Sequence, residues 1–177
     1  TNRVINIVGD LLILSRLEEK NSCLEFEEVN LNDLVENVLK IFSQRLKEKN
    51  IGLRFKTDDN LSPIVADPFK LEQVFINLID NAIKYTEKGE IQISLSQNDN
   101  STIFKIADTG IGIPKEHLSR IFERFYVVDP SRSRKLGGTG LGLSIVKHIV
   151  LLHNGKIEGK NIPGNGTVFI ITLPVTK

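Results

Sequence analysis

With 177 residues and 40% hydrophobic content, the chain has room for one globular domain of ordinary size plus an appendage, and a second full domain is not expected. Its 23 basic and 22 acidic residues are interspersed and leave a net charge of +1, so no overall field favours nucleic acid or anionic lipid. The single cysteine, Cys23, cannot form an internal disulfide and shares no zinc-ligand spacing with His117, His148 and His153, which suits a reducing compartment.

At the N-terminus, Val4, Ile7, Leu11 and Leu14 recur at spacings of three and four, and Ile5, Val8 and Leu12 widen the stripe. The pattern predicts a packing helix, folded onto its own domain or forming half of a helical hairpin with another chain. Its charged end, Arg16 to Lys20, and the following Asn21 and Ser22 read as a stop and a linker. A short strand is expected over 24–29, then a helix capped by Asn30 with apolar positions from Leu31 to Leu46, and a strand over 51–55. An extended piece at Ile64 and Val65 leads to Asp67-Pro68, a cap followed by proline at the first helical position. Beyond that helix, alternation over 90–97 and 102–108 around Asn98-Asp99-Asn100 predicts a hairpin. Pro114 opens a short helix over 114–123, and the polar, aperiodic stretch 126–138 reads as a mobile loop. A helix over 141–153 ends near Asn154-Gly155, and strands over 156–159 and 167–173 flank a turn with Pro163, Gly164 and Gly166. The fold class expected is α+β, a two-layer α/β sandwich with helices over a mixed, mostly antiparallel sheet. No apolar run approaches the roughly 20 residues that cross a bilayer, and no signal-peptide pattern opens the chain. The piece is therefore expected to be soluble and cytoplasmic, without nucleic-acid or direct membrane contact. Starting at Thr1 inside a helical pattern, it is also expected to be part of a longer protein, whose upstream sequence would show any membrane anchor.

Three segments carry chemistry. In NLIDNAIKY (77–85), helical spacing lines up Gln73, Asn77, Asn81 and Lys84 on one side, while Leu71, Val74, Phe75, Leu78 and Ala82 take the other. A neutral amide oxygen suits Mg²⁺, which keeps several waters beside few protein ligands, so Asn81 is the predicted metal ligand. Lys84 and Tyr85, one turn on, can offer a charge and a hydroxyl to phosphate or ribose. In DTGIGI (108–113), Asp108 ends a strand where its carboxylate can accept the adenine amino group, and glycines permit a turn and a close backbone approach. In GGTGLGLSIV (137–146), the glycines precede an apolar helix and offer N–H groups to phosphate oxygens. Neither the lysine-containing phosphate loop nor the dinucleotide fingerprint fits.

Together with RIFERFY (120–126), these segments resemble, in order, the N, G1, F and G2 boxes of the ATP-binding catalytic domain of bacterial sensor histidine kinases. That domain belongs to a superfamily shared with DNA gyrase, Hsp90 and MutL, and the resemblance spans roughly residues 24–175. It implies a sandwich of the Bergerat type, with ATP between the N-box helix and a flexible lid over about 121–139. Residue by residue, it implies nucleotide contacts at Asn77, Asn81, Lys84, Tyr85, Asp108, Gly110, Gly112, Ile113, Gly138, Thr139, Gly140, Leu141 and Gly142, with Mg²⁺ on Asn81. Residues 1–22 resemble the end of the second dimerisation helix and its linker, with the catalytic domain at 23–177. The implied partners are the dimerisation and phosphoacceptor domain of the same protein, a second copy in a homodimer, and a response regulator.

Hydrolysing members of the superfamily carry a glutamate one turn before the metal asparagine, where it acts as a general base. Asn77 stands there instead, and an amide is not basic. The γ-phosphoryl is then expected to await an imidazole, with catalysis resting on position and on charge stabilisation by Mg²⁺ and cations. The acceptor histidine is missing, since none of the three histidines has the family's Ser-His-Glu-Leu-Arg context, and each reads as a helix residue. Many relatives also have arginine after the F-box tyrosine, where this chain has Val127. Arg124, Arg132, Arg134 or Lys135 could compensate, and Asn77, Lys84 and Arg124 are the expected catalytic set. Two rivals remain open: a nucleotide-binding regulatory module without phosphotransfer, and a low-turnover ATPase.

Overall fold

The computed structural model describes residues 2–18, 24–58, 61–162 and 166–175. Cys23, the expected linker and the Pro163-Gly164 part of the last turn lie outside them. The helices are α1 (Asn2–Glu18), α2 (Leu31–Glu48), α3 (Pro68–Tyr85), α4 (Pro130–Lys135) and α5 (Gly142–Leu152). The strands are β1 (Glu27–Val29), β2 (Ile51–Thr57), β3 (Ile64–Ala66), β4 (Gly89–Gln97), β5 (Ser101–Asp108), β6 (Lys156–Asn161) and β7 (Thr167–Pro174). Strands β1 and β3 form a small antiparallel ribbon, whereas the main sheet runs β2-β4-β5-β7-β6 with only β2 and β4 parallel. The mixed, mostly antiparallel sheet is thus as expected.

Period-two alternation sends Ile91, Ile93 and Leu95 of β4, Phe104 and Ile106 of β5, and Phe169, Ile171 and Leu173 of β7 into the core. They meet the apolar faces of α3 (Leu71, Val74, Phe75, Leu78, Ile79) and α5 (Ile145, Val146, Ile149, Val150). Phe75 and Phe104 stack across the layers with ring centroids 4.6 Å apart. Both expected caps are present. Asn30 accepts from the N–H groups of Asn32 and Asp33, while Asp67 accepts from Lys70 N–H at 3.0 Å and from Glu25 N–H at 3.1 Å.

Three elements differ from expectation. The first strand shortens to Glu27–Val29, because only these residues find partners on β3. The stretch 114–123 is a 3-10 turn at Lys115–His117 followed by further turns. The expected aperiodic loop contains α4, nucleated by the Asp129 cap and Pro130 at its first position. Along α1, Leu14 and Leu17 are buried, while Val4, Ile5, Val8, Leu11 and Leu12 stay exposed. The helix is fastened to α5 by the hydrogen bond between His148 Nε2 and the Leu17 carbonyl, 3.0 Å.

Candidate nucleotide site

The C-terminal half of α3 faces a cleft closed by the segments after β5 and before α5. It has two halves, of about 260 Å³ and 220 Å³, and Asn81, Tyr85, Ile121, Tyr126, Val127 and Leu143 border both.

The larger half is a mostly apolar slot walled by Ala82, Ile111, Ile113, Ile121, Leu143 and Phe169, with Asp108 at its inner end. Alternation explains the carboxylate: Asp108 continues the inward series Phe104, Ile106, so it is buried where β5 ends. Burial pushes its pKa above the ordinary carboxylate value, opposed by the backbone N–H groups of Gly110 and Thr167. Gly110 N–H donates to Oδ1 at 2.8 Å, and a Cβ on Gly110 would collide with the Tyr85 carbonyl, so only glycine lets the turn pass this close to α3. Ile113 is fixed by its N–H donating to Asn161 Oδ1 at 3.0 Å. An apolar slot with one buried acceptor suits a flat heteroaromatic ring bearing an amino group.

The smaller half is polar, lined by Asn77, Asp80, Asn81, Lys84, Gly138, Thr139, Gly140 and Gly142, and by Asn6 and Asp10 of α1. The Asn77 amide nitrogen is buried without a hydrogen-bond partner among the described residues. Gly140 has φ +76°, and a Cβ there would lie 2.8 Å from the Phe125 backbone, so the glycine segment bends against the F-box segment. The cations are already engaged. Lys84 Nζ lies 2.6 Å from Asp80, Arg45 holds the other oxygen of that carboxylate at 2.7 Å, and Arg132, at the edge of the slot, pairs with Glu87 at 2.8 Å.

Most expected residues therefore converge on one cleft. Gly110 acts as a spacer behind it, Leu141 is fully buried beside it, and Lys135 is not among the cavity-lining residues. Arg124 pairs with Glu18 of α1 at a separate surface cleft. Participants that were not expected include Asp80, the apolar walls Ala82, Ile111, Ile121, Leu143 and Phe169, Tyr126 as a wall, and Asn6 with Asp10. The last two are one helical turn apart, a polar pair beside the apolar stripe that hinted at a second face. Thr139 Oγ1 donates to Asp10 Oδ2 at 2.7 Å. His153 is structural, since its Nδ1 contacts Ile149 O at 2.9 Å while Nε2 accepts from Asp67 N–H at 3.0 Å.

The family model for histidine kinase-, DNA gyrase B- and HSP90-like ATPases matches residues 66–177. The sensor protein kinase WalK of Staphylococcus haemolyticus is 39% identical over 98% of this chain, which spans 29% of that protein's length. Among solved structures, the catalytic domain of histidine kinase ThkA superposes with a TM-score of 0.77 at 37% identity, covering 86% of this chain and 99% of the domain. ThkA in complex with the response regulator protein TrrA gives 0.82 at 34%, covering 99% of this chain and 48% of that one. Full-length ShkA in complex with AMPPNP gives 0.87 at 30%, covering 98% and 36%. The chain belongs to the histidine kinase-, DNA gyrase B- and HSP90-like ATPase family, as the catalytic, ATP-binding domain of a histidine kinase.

Proposed function

We propose that residues 23–177 bind Mg·ATP and present its γ-phosphoryl to a histidine on a dimerisation domain of the same protein, from which a response-regulator aspartate receives it. Residues 1–22 would then be the end of the second dimerisation helix and its linker, in a homodimer. The observation that carries this reading is Asn77, whose unpaired amide stands one turn before Asn81 on the polar face of α3. The place suited to a base holds an amide, which cannot activate water. The carboxylates that do border this half are tied up, Asp80 by Lys84 and Arg45, Asp10 by Thr139.

Asp108 would accept the adenine amino group, and Asn81 would hold Mg²⁺ through its amide oxygen. When bound, the ion supplies neutralisation of phosphate charge. Gly138, Gly140, Gly142, Thr139 and Lys84 line the phosphate end, with the Gly138 N–H already given to the Ser133 carbonyl at 2.8 Å, while Tyr85 and Arg132 border the base. Arg124 could contribute only after leaving Glu18. The complex of ThkA with a response regulator supports the second transfer.

Incubating the chain and Mg·ATP with a separately expressed histidine-bearing helical domain should yield phosphohistidine. ATP binding without that product would favour a regulatory module, a reading suggested by the apolar Val127 at the border of both halves. Steady phosphate release without an acceptor would favour an ATPase.

A further inference from the structure

Tyr126 borders both halves of the cleft, together with Asn81, Tyr85, Ile121, Val127 and Leu143, and it is the aromatic ring that the F-box segment contributes to that border. The ring is held from outside. Its hydroxyl is hydrogen-bonded to His117 Nδ1, and the Arg120 guanidinium carbon stands 4.3 Å from the ring centroid. Arg120 is fixed in turn by Glu123, with Nε 3.2 Å from both carboxylate oxygens and Nη2 3.1 Å from one. The two holders are joined through the backbone, since the N–H groups of Arg120 and Ile121 both donate to the His117 carbonyl, at 2.9 and 3.1 Å. A single turn after the G1 segment thus grips the hydroxyl and the outer face of a residue nine positions on. Neither His117 nor Arg120 is among the lining residues of either half. Phe125, just before Tyr126, has φ +60°, a conformation an aromatic residue rarely adopts.

We propose that His117 and Arg120 are positioning residues for nucleotide binding: they hold Tyr126 as the partition between the base and phosphate ends of the cleft. The inference rests on the ATP-binding reading above. Either neutral tautomer of His117 serves, because a phenol can accept from an Nδ1–H or donate to a bare Nδ1. An amide at the same place can do the same, whereas an aliphatic side chain cannot.

The chain has two tyrosines, Tyr85 and Tyr126, so 3-fluorotyrosine labelling gives two ¹⁹F resonances that Tyr126→Phe assigns. Calorimetry with Mg·ATP on the whole chain supplies the affinity. Relative to a binding wild type, His117→Leu should weaken ATP about fivefold to tenfold, the equivalent of one hydrogen bond. It should move the Tyr126 resonance and leave that of Tyr85, which also reports that the fold survives. His117→Asn should restore affinity to within about twofold, and Tyr126→Phe should weaken ATP no further in the His117→Leu background. Arg120→Gln, at an exposed position, should weaken ATP about twofold to threefold through the lost ring contact. Wild-type affinity in both His117→Leu and Arg120→Gln, failure of asparagine to rescue, or strict additivity with Tyr126→Phe would each overturn the proposal. A wild type that binds no ATP would overturn the site reading itself, and this inference with it.

Discussion

The ammonium of Lys84 lies 2.6 Å from the carboxylate of Asp80, one turn earlier on α3, and Arg45 of α2 reaches the same carboxylate at 2.7 Å. Asp80 thus sequesters a cation at the phosphate end of the cleft. Replacing it, Asp80→Asn, should free Lys84 for phosphate and tighten ATP by about 0.5–1 kcal/mol, the order of a partly exposed ion pair. Lys84→Met should weaken ATP in both backgrounds. Calorimetric titration checks this, and unchanged affinity in Asp80→Asn would mean that Lys84 does not serve phosphate.

Asp108 offers a test in pH. Its folded pKa is raised by burial, so the stability it contributes is fully present below the ordinary carboxylate value and disappears as pH rises through the raised one. At neutral pH the ionised group burdens the fold, and Asp108→Asn should raise the melting temperature while lowering ATP affinity at least about tenfold, the scale of a charge-assisted hydrogen bond. In the wild type, affinity should fall on acidification at a pH above that of an unperturbed aspartate. A variant that loses stability and binds ATP normally would contradict the assignment.

Two asparagines on one helical face should separate by chemistry. Asn81→Ala should abolish Mg-dependent phosphotransfer, and retention of full transfer would remove the metal assignment. Asn77→Glu should raise phosphate release in the absence of any acceptor, since a carboxylate there can act as a base. Colorimetric phosphate assays suffice, and an unchanged rate would mean that position alone does not set the chemistry.

How much of this was legible beforehand depended on the range of the interaction. Asn30 and Asp67 were readable as caps because a cap bonds within its own first turn, and Asp108 was readable as inward-facing because alternation is local. The Asp129-Pro130 start of α4 carried the same signal and was missed, because six polar residues show no periodicity. Asp10, Arg124 and Tyr126 were beyond local reading. Asp10 meets Thr139 from 129 positions away, and the Glu18 partner of Arg124 depends on how α1 lies against the domain.

A buried cap has a measurable consequence. The Asp67 carboxylate holds Lys70 N–H and Glu25 N–H together, tying the start of α3 to the segment before β1. Asp67→Ala leaves both donors without it and should cost about 1–3 kcal/mol in chemical denaturation. A loss below about 0.5 kcal/mol would show that water replaces the carboxylate.

Asn6 and Asp10 make α1 part of the wall around the phosphate end. Thermodynamic reciprocity then applies: if docking of this helix changes the affinity for a nucleotide by some factor, the nucleotide changes the docking of the helix by the same factor. A domain cut away at residue 23 would report a dissociation constant for a cleft lacking one side. The ratio of its constant to that of the whole chain is the coupling itself, obtained without any measurement of turnover.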